Sequence, residues 1–263
     1  MLRLVPELRW KQPAEPRQPD EFEVDGIEFV CRPAFRRFRS TATRFCLLKA
    51  PWAVEAVRAL VEELAPRTIL ELGIYDGGSM ALFSQLARPD KLVAIDLRTE
   101  PSEGLAAFLA ARGLERTVVP YYGVDQADVT RLHEIVAGEF AGAELDLVID
   151  DASHLVPQSR ASFNCLFPRL RAGGVYLLED WSWAHARIPF QLDETPLTVL
   201  LFELLLACAR APGMVAEVRV QRGWALIVRG SDEVDVDTFD VSELTDERGR
   251  DLVPDLRNRP LTA

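Results

Sequence analysis

Paired cysteines are the first thing this chain lacks. Cys31, Cys46, Cys165 and Cys208 stand far apart with no CxxC spacing. That excludes a zinc-ligand pattern and the disulfide framework of a small secreted domain, and leaves four reduced thiols as the expectation. An excess of basic charge is also missing: the net charge is −11, so no broad face is available to neutralise nucleic-acid phosphates. Long apolar runs are absent too. The most apolar stretch, Leu197–Ala209, is short for a membrane span and carries Glu203. The opening MLRLVPELRWKQ has no continuous apolar core of the signal-peptide kind. A cytoplasmic protein with neither nucleic-acid nor membrane partners is expected. No Walker lysine and no internal repeat is found.

What is present fits one large domain with appendages. Hydrophobic residues make up 48% and charged residues 27% of 263, an ordinary globular balance. Three segments are expected: an N-terminal arm or lid over 1–50, a main domain over 51–231 and a tail over 232–263. The first 20 residues show no apolar period. VDGIEFVCRP reads as a short strand after an Asp25-Gly26 turn. Arg36, Arg37, Arg39 and Arg44 follow; such a run is either a solvated face or a cover that binds an acidic acceptor.

From residue 51 the pattern is regular. Val54, Val57, Val61 and Leu64 mark one helical face after Pro51. Apolar strands at 68–72, 92–96, 117–122, 145–149 and 174–179 alternate with helical segments, and Pro120 demotes the third strand to an edge. A strongly apolar helix at about 196–211 precedes VAEVRV and WALIVRG. These flank Gln221-Arg222-Gly223 as an antiparallel hairpin. The fold class is α/β: a mostly parallel sheet finished by a C-terminal antiparallel hairpin, with helices on both faces.

The first strand runs into ILELGIYDGGSM, where Glu71, Gly73, Gly77 and Gly78 are expected in the turn. Glycines there let backbone approach a ligand, and ligands of open α/β sheets bind at strand carboxyl ends. Tyr75 stands where the dinucleotide fingerprint needs glycine, so a nicotinamide cofactor is disfavoured. An acidic residue followed by G-x-x-x-G, with Asp96 ending the second strand and a closing hairpin, resembles the class I S-adenosylmethionine-dependent methyltransferases over about residues 50–230. The resemblance implies a Rossmann-like seven-stranded sheet. It implies S-adenosylmethionine contacts from Glu71, Gly73, Tyr75, Gly77 and Ser79, with Asp96 on the ribose hydroxyls. YYGVDQAD resembles a G-D-Q-x-D segment that lies beside the adenine in one subgroup, although Val124 interrupts the match. That makes Asp125 and Gln126 candidate cofactor contacts; alternatively, Asp125 caps the next helix.

LDLVIDDASHLVP poses a separate question. Two adjacent carboxylates end an apolar strand, where repulsion and desolvation both cost. Glu179 and Asp180 end the next strand, so four carboxylates reach one region, a donor set suited to a hard cation such as Mg2+. The elements Asp150-Asp151-Ala152-Ser153-His154 and Glu179-Asp180 resemble the D-D-x-S-H and E-D elements of metal-dependent macrolide and cephalosporin-pathway sugar O-methyltransferases. Ala152 replaces the usual glycine. The resemblance implies Asp151, Glu179 and Asp180 as metal ligands, His154 as general base, and Asp150 as a cofactor contact or else a cap or support for the site. It implies an oligomer acting on a hydroxyl of a small molecule, with a sugar or glycoside favoured. A catechol-type enzyme on a vicinal phenol and a non-catalytic cofactor-binding protein are the alternatives. Trp181, Trp183 and His185 form either an acceptor wall or a pinned loop, and His133 reads as structural or exposed.

Overall fold

The computed structural model describes residues 4–12, 19–31, 38–185 and 195–245. The chain divides into two compact units, Met1–Val124 and Asp125–Ala263.

In the first unit, four short strands form a small sheet: β1 (Arg9–Trp10), β2 (Glu21–Val24), β3 (Ile27–Cys31) and β4 (Arg44–Leu47). β2 and β3 are joined by Asp25 and Gly26, both with positive φ (48° and 77°), as an Asp-Gly hairpin turn requires. β4 pairs with β3 in parallel. Phe22, Phe29 and Phe45 are buried in a row, with ring centroids 5.0 and 6.0 Å apart, and Phe45 meets Phe108 edge-on at 5.4 Å. The segment expected as an arm therefore carries a hydrophobic sheet fixed to the helices. Of the arginine run, Arg36 and Arg37 lie outside the described residues. Arg44 pairs with Glu21 and Glu28.

Helix α1 (Pro51–Leu64) buries Val54, Val57, Leu60 and Val61. It ends where Ala65 turns left-handed (φ 45°) before Pro66. Strands β5 (Thr68–Leu72), β6 (Lys91–Asp96) and β7 (Val118–Tyr122) pair in parallel in that order, and Pro120 sits on the edge strand as expected. Helix α2 (Gly78–Ala87) follows β5. Helix α3 (Glu103–Arg112) follows β6 and is capped by Ser102, whose Oγ accepts from the Leu105 N–H. β4 crosses the start of α2 so closely that a Cβ on Gly78 would stand 1.9 Å from the Cys46 carbonyl oxygen. The glycine is needed for packing as well as for any ligand. Gly78→Ala is expected to destabilise the fold by about 1–3 kcal/mol, the usual cost of overpacking, seen as a lower urea midpoint with unchanged slope.

In the second unit, α4 (Val129–Phe140) is followed by β8 (Leu145–Asp150), α5 (Val156–Leu166) and β9 (Leu170–Glu179). Next come α6 (Thr198–Arg210), β10 (Val215–Val220) and β11 (Trp224–Arg229). β8 and β9 are parallel; β11 is antiparallel to β9 and to β10, with the turn at 221–223 as expected. α5 ends at Leu166, ahead of Pro168, and a 3-10 turn (Phe167–Arg169) leads directly into β9, which begins four residues before the expected start. The apolar α6 holds its one interior acid, Glu203, fully buried against Arg160 of α5, with Nη2–Oε2 2.8 Å. Residues 240–241 are tied to α5 by Asn164, which donates to Asp240 Oδ1 and accepts from the Val241 N–H. The expected tail is thus anchored at least to Val241. The strand order of the main sheet is β10-β11-β9-β8-β5-β6-β7, the seven-stranded α/β sheet that the sequence implies.

Candidate functional site

In the first unit the turn after β5 winds through left-handed residues: Gly73 (φ 101°), Tyr75 (φ 50°) and Gly77 (φ 83°). A non-glycine residue in this region costs about 1–3 kcal/mol and tends to mark functional turns. Asp96, at the end of β6, holds the turn in place. Its Oδ2 accepts from the Ile74 N–H (2.9 Å) and the Tyr75 N–H (2.8 Å), and its Oδ1 accepts from the Arg98 N–H (2.8 Å). A carboxylate offers about four acceptor positions, so this half-buried group retains capacity for a ligand hydroxyl. Ser79, in the first turn of α2, has a buried Oγ with no hydrogen-bond partner among the described residues, as a ligand-facing hydroxyl would. These features fit an adenosyl cofactor. Glu71 is fully buried within β5, the strand expected over 68–72, and so precedes the turn.

Sequence reading passed over Asp76. Its Oδ2 accepts from the Ser40 N–H at 2.6 Å, and its carbonyl accepts from Ser102 Oγ at 3.1 Å. One side chain thus joins the segment before β4, the glycine turn and the α3 cap. An acid placed between Tyr75 and two glycines was the available signal.

In the second unit the register of β8 and β9 sets Asp150 opposite Leu178. By that register Asp151 comes level with Glu179, and Asp180 follows one residue beyond the end of β9. His154 Nε2 lies 3.9 Å from Asp151 Oδ1 and 4.0 Å from Asp180 Oδ2. Among the described residues, Asp151, His154 and Asp180 form a group whose ligand atoms all fall within 4.8 Å of one another. Two half-buried carboxylates and one buried imidazole at that spacing can hold a divalent cation. Glu179, expected beside them, is buried at the end of β9 opposite Trp224 and is outside that group. His154 (φ 57°) and Asp180 (φ 55°) are both left-handed, so the backbone is strained where these two side chains emerge.

Asp150 points the other way. It is 1% exposed and accepts from Tyr176 Oη at 2.9 Å and from Gln126 Nε2 at 3.1 Å. Burial pushes its carboxyl above the ordinary range, opposed chiefly by the Tyr176 hydrogen bond. These bonds fit the supporting alternative for Asp150. Gln126, a candidate adenine contact from the sequence, is buried. Its Nε2 also donates to Ser162 Oγ (3.2 Å) and its Oε1 accepts from the Ser153 N–H (2.8 Å), so the buried amide is engaged at both ends within the protein. It ties buried Asp150 to the turn that carries His154. Asp125 is exposed and accepts from the Ala127 N–H (2.8 Å), shaping the turn, while Asp128 caps α4. Gln126→Ala would leave the Ser153 N–H and Asp150 short of partners. The expected loss is about 1–3 kcal/mol of stability, measured by denaturant melts.

The described start of the loop after β9, residues 180–185, is pinned. Trp181 Nε1 donates to the Gln221 carbonyl (3.0 Å), Ser182 Oγ to the Arg222 carbonyl (2.9 Å), and the Asp180 N–H to the Gly223 carbonyl (2.6 Å). His185 Nε2 meets Thr198 Oγ1 at 2.5 Å. Trp183 has a different place: its ring lies 4.5 Å from the His154 ring and walls one side of the imidazole. His133 is half-buried on α4, away from the acidic group, and burial lowers its pKa. The four cysteines are free. No described helix is long and apolar enough to cross a membrane.

Residues 70–181 match the model of a methyltransferase domain family. A stretch of 74 residues is 40% identical to 8-demethyl-8-alpha-L-rhamnosyl tetracenomycin-C 2'-O-methyltransferase of Streptomyces olivaceus, covering 22% of this chain and 20% of that protein. Another of 121 residues is 31% identical to demethylmacrocin O-methyltransferase of Streptomyces fradiae, covering 43% and 27%. The chain thus spans about a quarter or less of the length of these curated relatives. Among solved structures, the MycE methyltransferase of mycinamycin biosynthesis, in complex with Mg, SAH and mycinamycin VI, aligns with a TM-score of 0.51 at 24% identity. That alignment covers 72% of this chain and 51% of MycE. TomG, an O-methyltransferase of Streptomyces achromogenes in complex with SAM, aligns at 0.51 and 21%, covering 70% and 82%. At these identities the two structures show a shared fold.

Proposed function

We propose that this chain, whose residues 70–181 match a methyltransferase domain family, transfers a methyl group from S-adenosylmethionine to a hydroxyl of a small molecule, with a sugar or glycoside as acceptor and magnesium as the bound cation. The convergence of Asp151, His154 and Asp180 where two parallel strands end carries this reading. A pure cofactor-binding protein has no use for that group. The sugar-modifying relatives and the metal-containing neighbour support the choice of acceptor and cation.

The donor supplies an already activated methyl group. When bound, magnesium supplies polarisation of the acceptor hydroxyl, which lowers its pKa. The chain's own residues do the rest. Asp96 accepts hydrogen bonds from the ribose hydroxyls, and the turn through Gly73, Tyr75 and Gly77, with Ser79, receives the methionyl end. Asp151 and Asp180 hold the cation, with Glu179 proposed from the sequence as a third carboxylate. Gln126 and Asp150 fix the turn that presents His154. The His154 Nε2 takes the hydroxyl proton, as a positioned imidazole can. One observation favours a second reading: Nε2 belongs to the same tight group as the two carboxylates, so histidine could instead ligate a softer cation than magnesium. The same proposal takes the protein as a cytoplasmic homo-oligomer.

Calorimetry with S-adenosylmethionine, followed by labelled methyl transfer across a panel of glycosides and catechols, tests the function. Donor binding with transfer to glycosides is expected. No donor binding would end the proposal, and transfer to catechols alone would move it to the vicinal-phenol class.

A further inference from the structure

We propose that Trp183 is the platform on which the acceptor lies, and that it favours a hydroxyl carried on a saturated ring, a pyranoside, over the same hydroxyl on an open chain. The platform rests on the methyltransferase and glycoside reading above, and it names the residue that recognises the acceptor. Three rings stand in the described start of the loop after β9. The Trp181 N–H is directed to the Gln221 carbonyl (3.0 Å), and His185 Nε2 meets Thr198 Oγ1. Trp183 is the one that reaches the acidic group: its ring centroid lies 4.5 Å from that of His154, with the planes inclined by 51°. At that inclination the indole covers the imidazole with only part of its surface, and Trp183 as a whole is half-buried.

The backbone fixes the indole there. The Trp183 N–H donates to the Asp180 carbonyl at 3.0 Å, closing a turn that starts at the left-handed Asp180. The β10–β11 hairpin braces that turn: the Asp180 N–H donates to the Gly223 carbonyl (2.6 Å) and Ser182 Oγ to the Arg222 carbonyl (2.9 Å). One turn thus presents both Asp180 and Trp183, and His154 meets both, with its Nε2 4.0 Å from Asp180 Oδ2 and its ring against the indole. An acceptor oxygen that gives its proton to Nε2 therefore brings its carbon skeleton up to Trp183. An indole face is flat, apolar and electron-rich, and it suits C–H groups that lie in one plane. A pyranose holds such a plane ready-made. An open-chain polyol must freeze several rotatable bonds to form one, which costs binding entropy.

The test uses the full-length protein with Trp183→Leu, which keeps apolar bulk and removes the aromatic face, and Trp183→Phe, which restores a face. Thermal unfolding confirms that each variant is folded. The acceptor is the pyranoside best used in the glycoside panel, and the alditol of the same sugar serves as a competing ligand. Trp183→Leu is expected to raise KM for the pyranoside by about 2- to 10-fold, the range an aromatic face contributes, and Trp183→Phe to recover most of that loss. KM for S-adenosylmethionine and inhibition by the alditol are expected to stay as in wild type. A fall in kcat with acceptor KM unchanged would overturn the platform, because Trp183 would then only orient His154. Equal weakening of the alditol would overturn it as well, because the ring would not be what is recognised. If wild type methylates no pyranoside, the glycoside reading fails first and takes the platform with it.

Discussion

His154→Ala is expected to lower turnover by about 10²–10⁴-fold, the usual contribution of a positioned general base, while S-adenosylmethionine affinity stays unchanged. The residue is 8% exposed, walled by the Trp183 ring at 4.5 Å and aimed at two carboxylates near 4 Å. Its left-handed φ of 57° allows a second variant to separate chemistry from folding. Glycine tolerates that conformation and alanine does not, so His154→Gly should be more stable than His154→Ala by about 1 kcal/mol and just as inactive. Divalent-ion titration of either variant decides the histidine's role. Unchanged metal affinity with lost turnover assigns a base; a matching loss of metal affinity assigns a ligand. Turnover equal to wild type would remove His154 from the reaction.

The second large effect is expected at the carboxylates. Asp180→Asn should weaken divalent-ion binding by more than the roughly 10–100-fold typical of losing an outer-shell partner, with activity falling in parallel. The change keeps shape and removes charge, and the Asp180 backbone bond to Gly223 is untouched, so the fold should survive. Asp151→Asn should behave alike. Asp150→Asn should behave differently. Its carboxylate is buried under Tyr176 and Gln126, so the expected loss is in stability, with metal affinity retained. Equal metal affinity in all three variants would mean that the cation, if any, is held elsewhere.

The contrast between Asp150 and Asp151 shows where sequence reading reaches its limit. Four acids at two strand ends were legible because strands of a parallel sheet deliver their ends to one edge. Which acid faces the edge and which faces the interior depends on how each strand leaves the sheet, and adjacent residues point to opposite sides. The DDASH and ED pairs therefore located the site but did not sort Asp150 from Asp151, or Glu179 from Asp180. Gln126 was read as a candidate adenine contact because YYGVDQAD resembles a G-D-Q-x-D segment. Its partners, Asp150, Ser153 and Ser162, lie 24–36 residues further along and no local pattern reveals them.

The glycine turn was legible from spacing alone, and the DG hairpin from turn chemistry. The small N-terminal sheet was seen only in part. β4 is four residues long and follows an arginine-rich run, too short for alternation to show. Its pairing with β3 is parallel and is set by the phenylalanine stack through Phe29 and Phe45. The same limit applies to Asp76, whose partner Ser40 is 36 residues away.

The most direct measurement is methyl transfer by protein stripped of divalent ions, given S-adenosylmethionine and a glycoside that the acceptor panel identifies, then titrated with magnesium. Silence in the stripped protein and saturable recovery with added ion, absent from Asp180→Asn, is the predicted result. Full turnover by the stripped protein would contradict the proposal that the group formed by Asp151, His154 and Asp180 works through a bound cation.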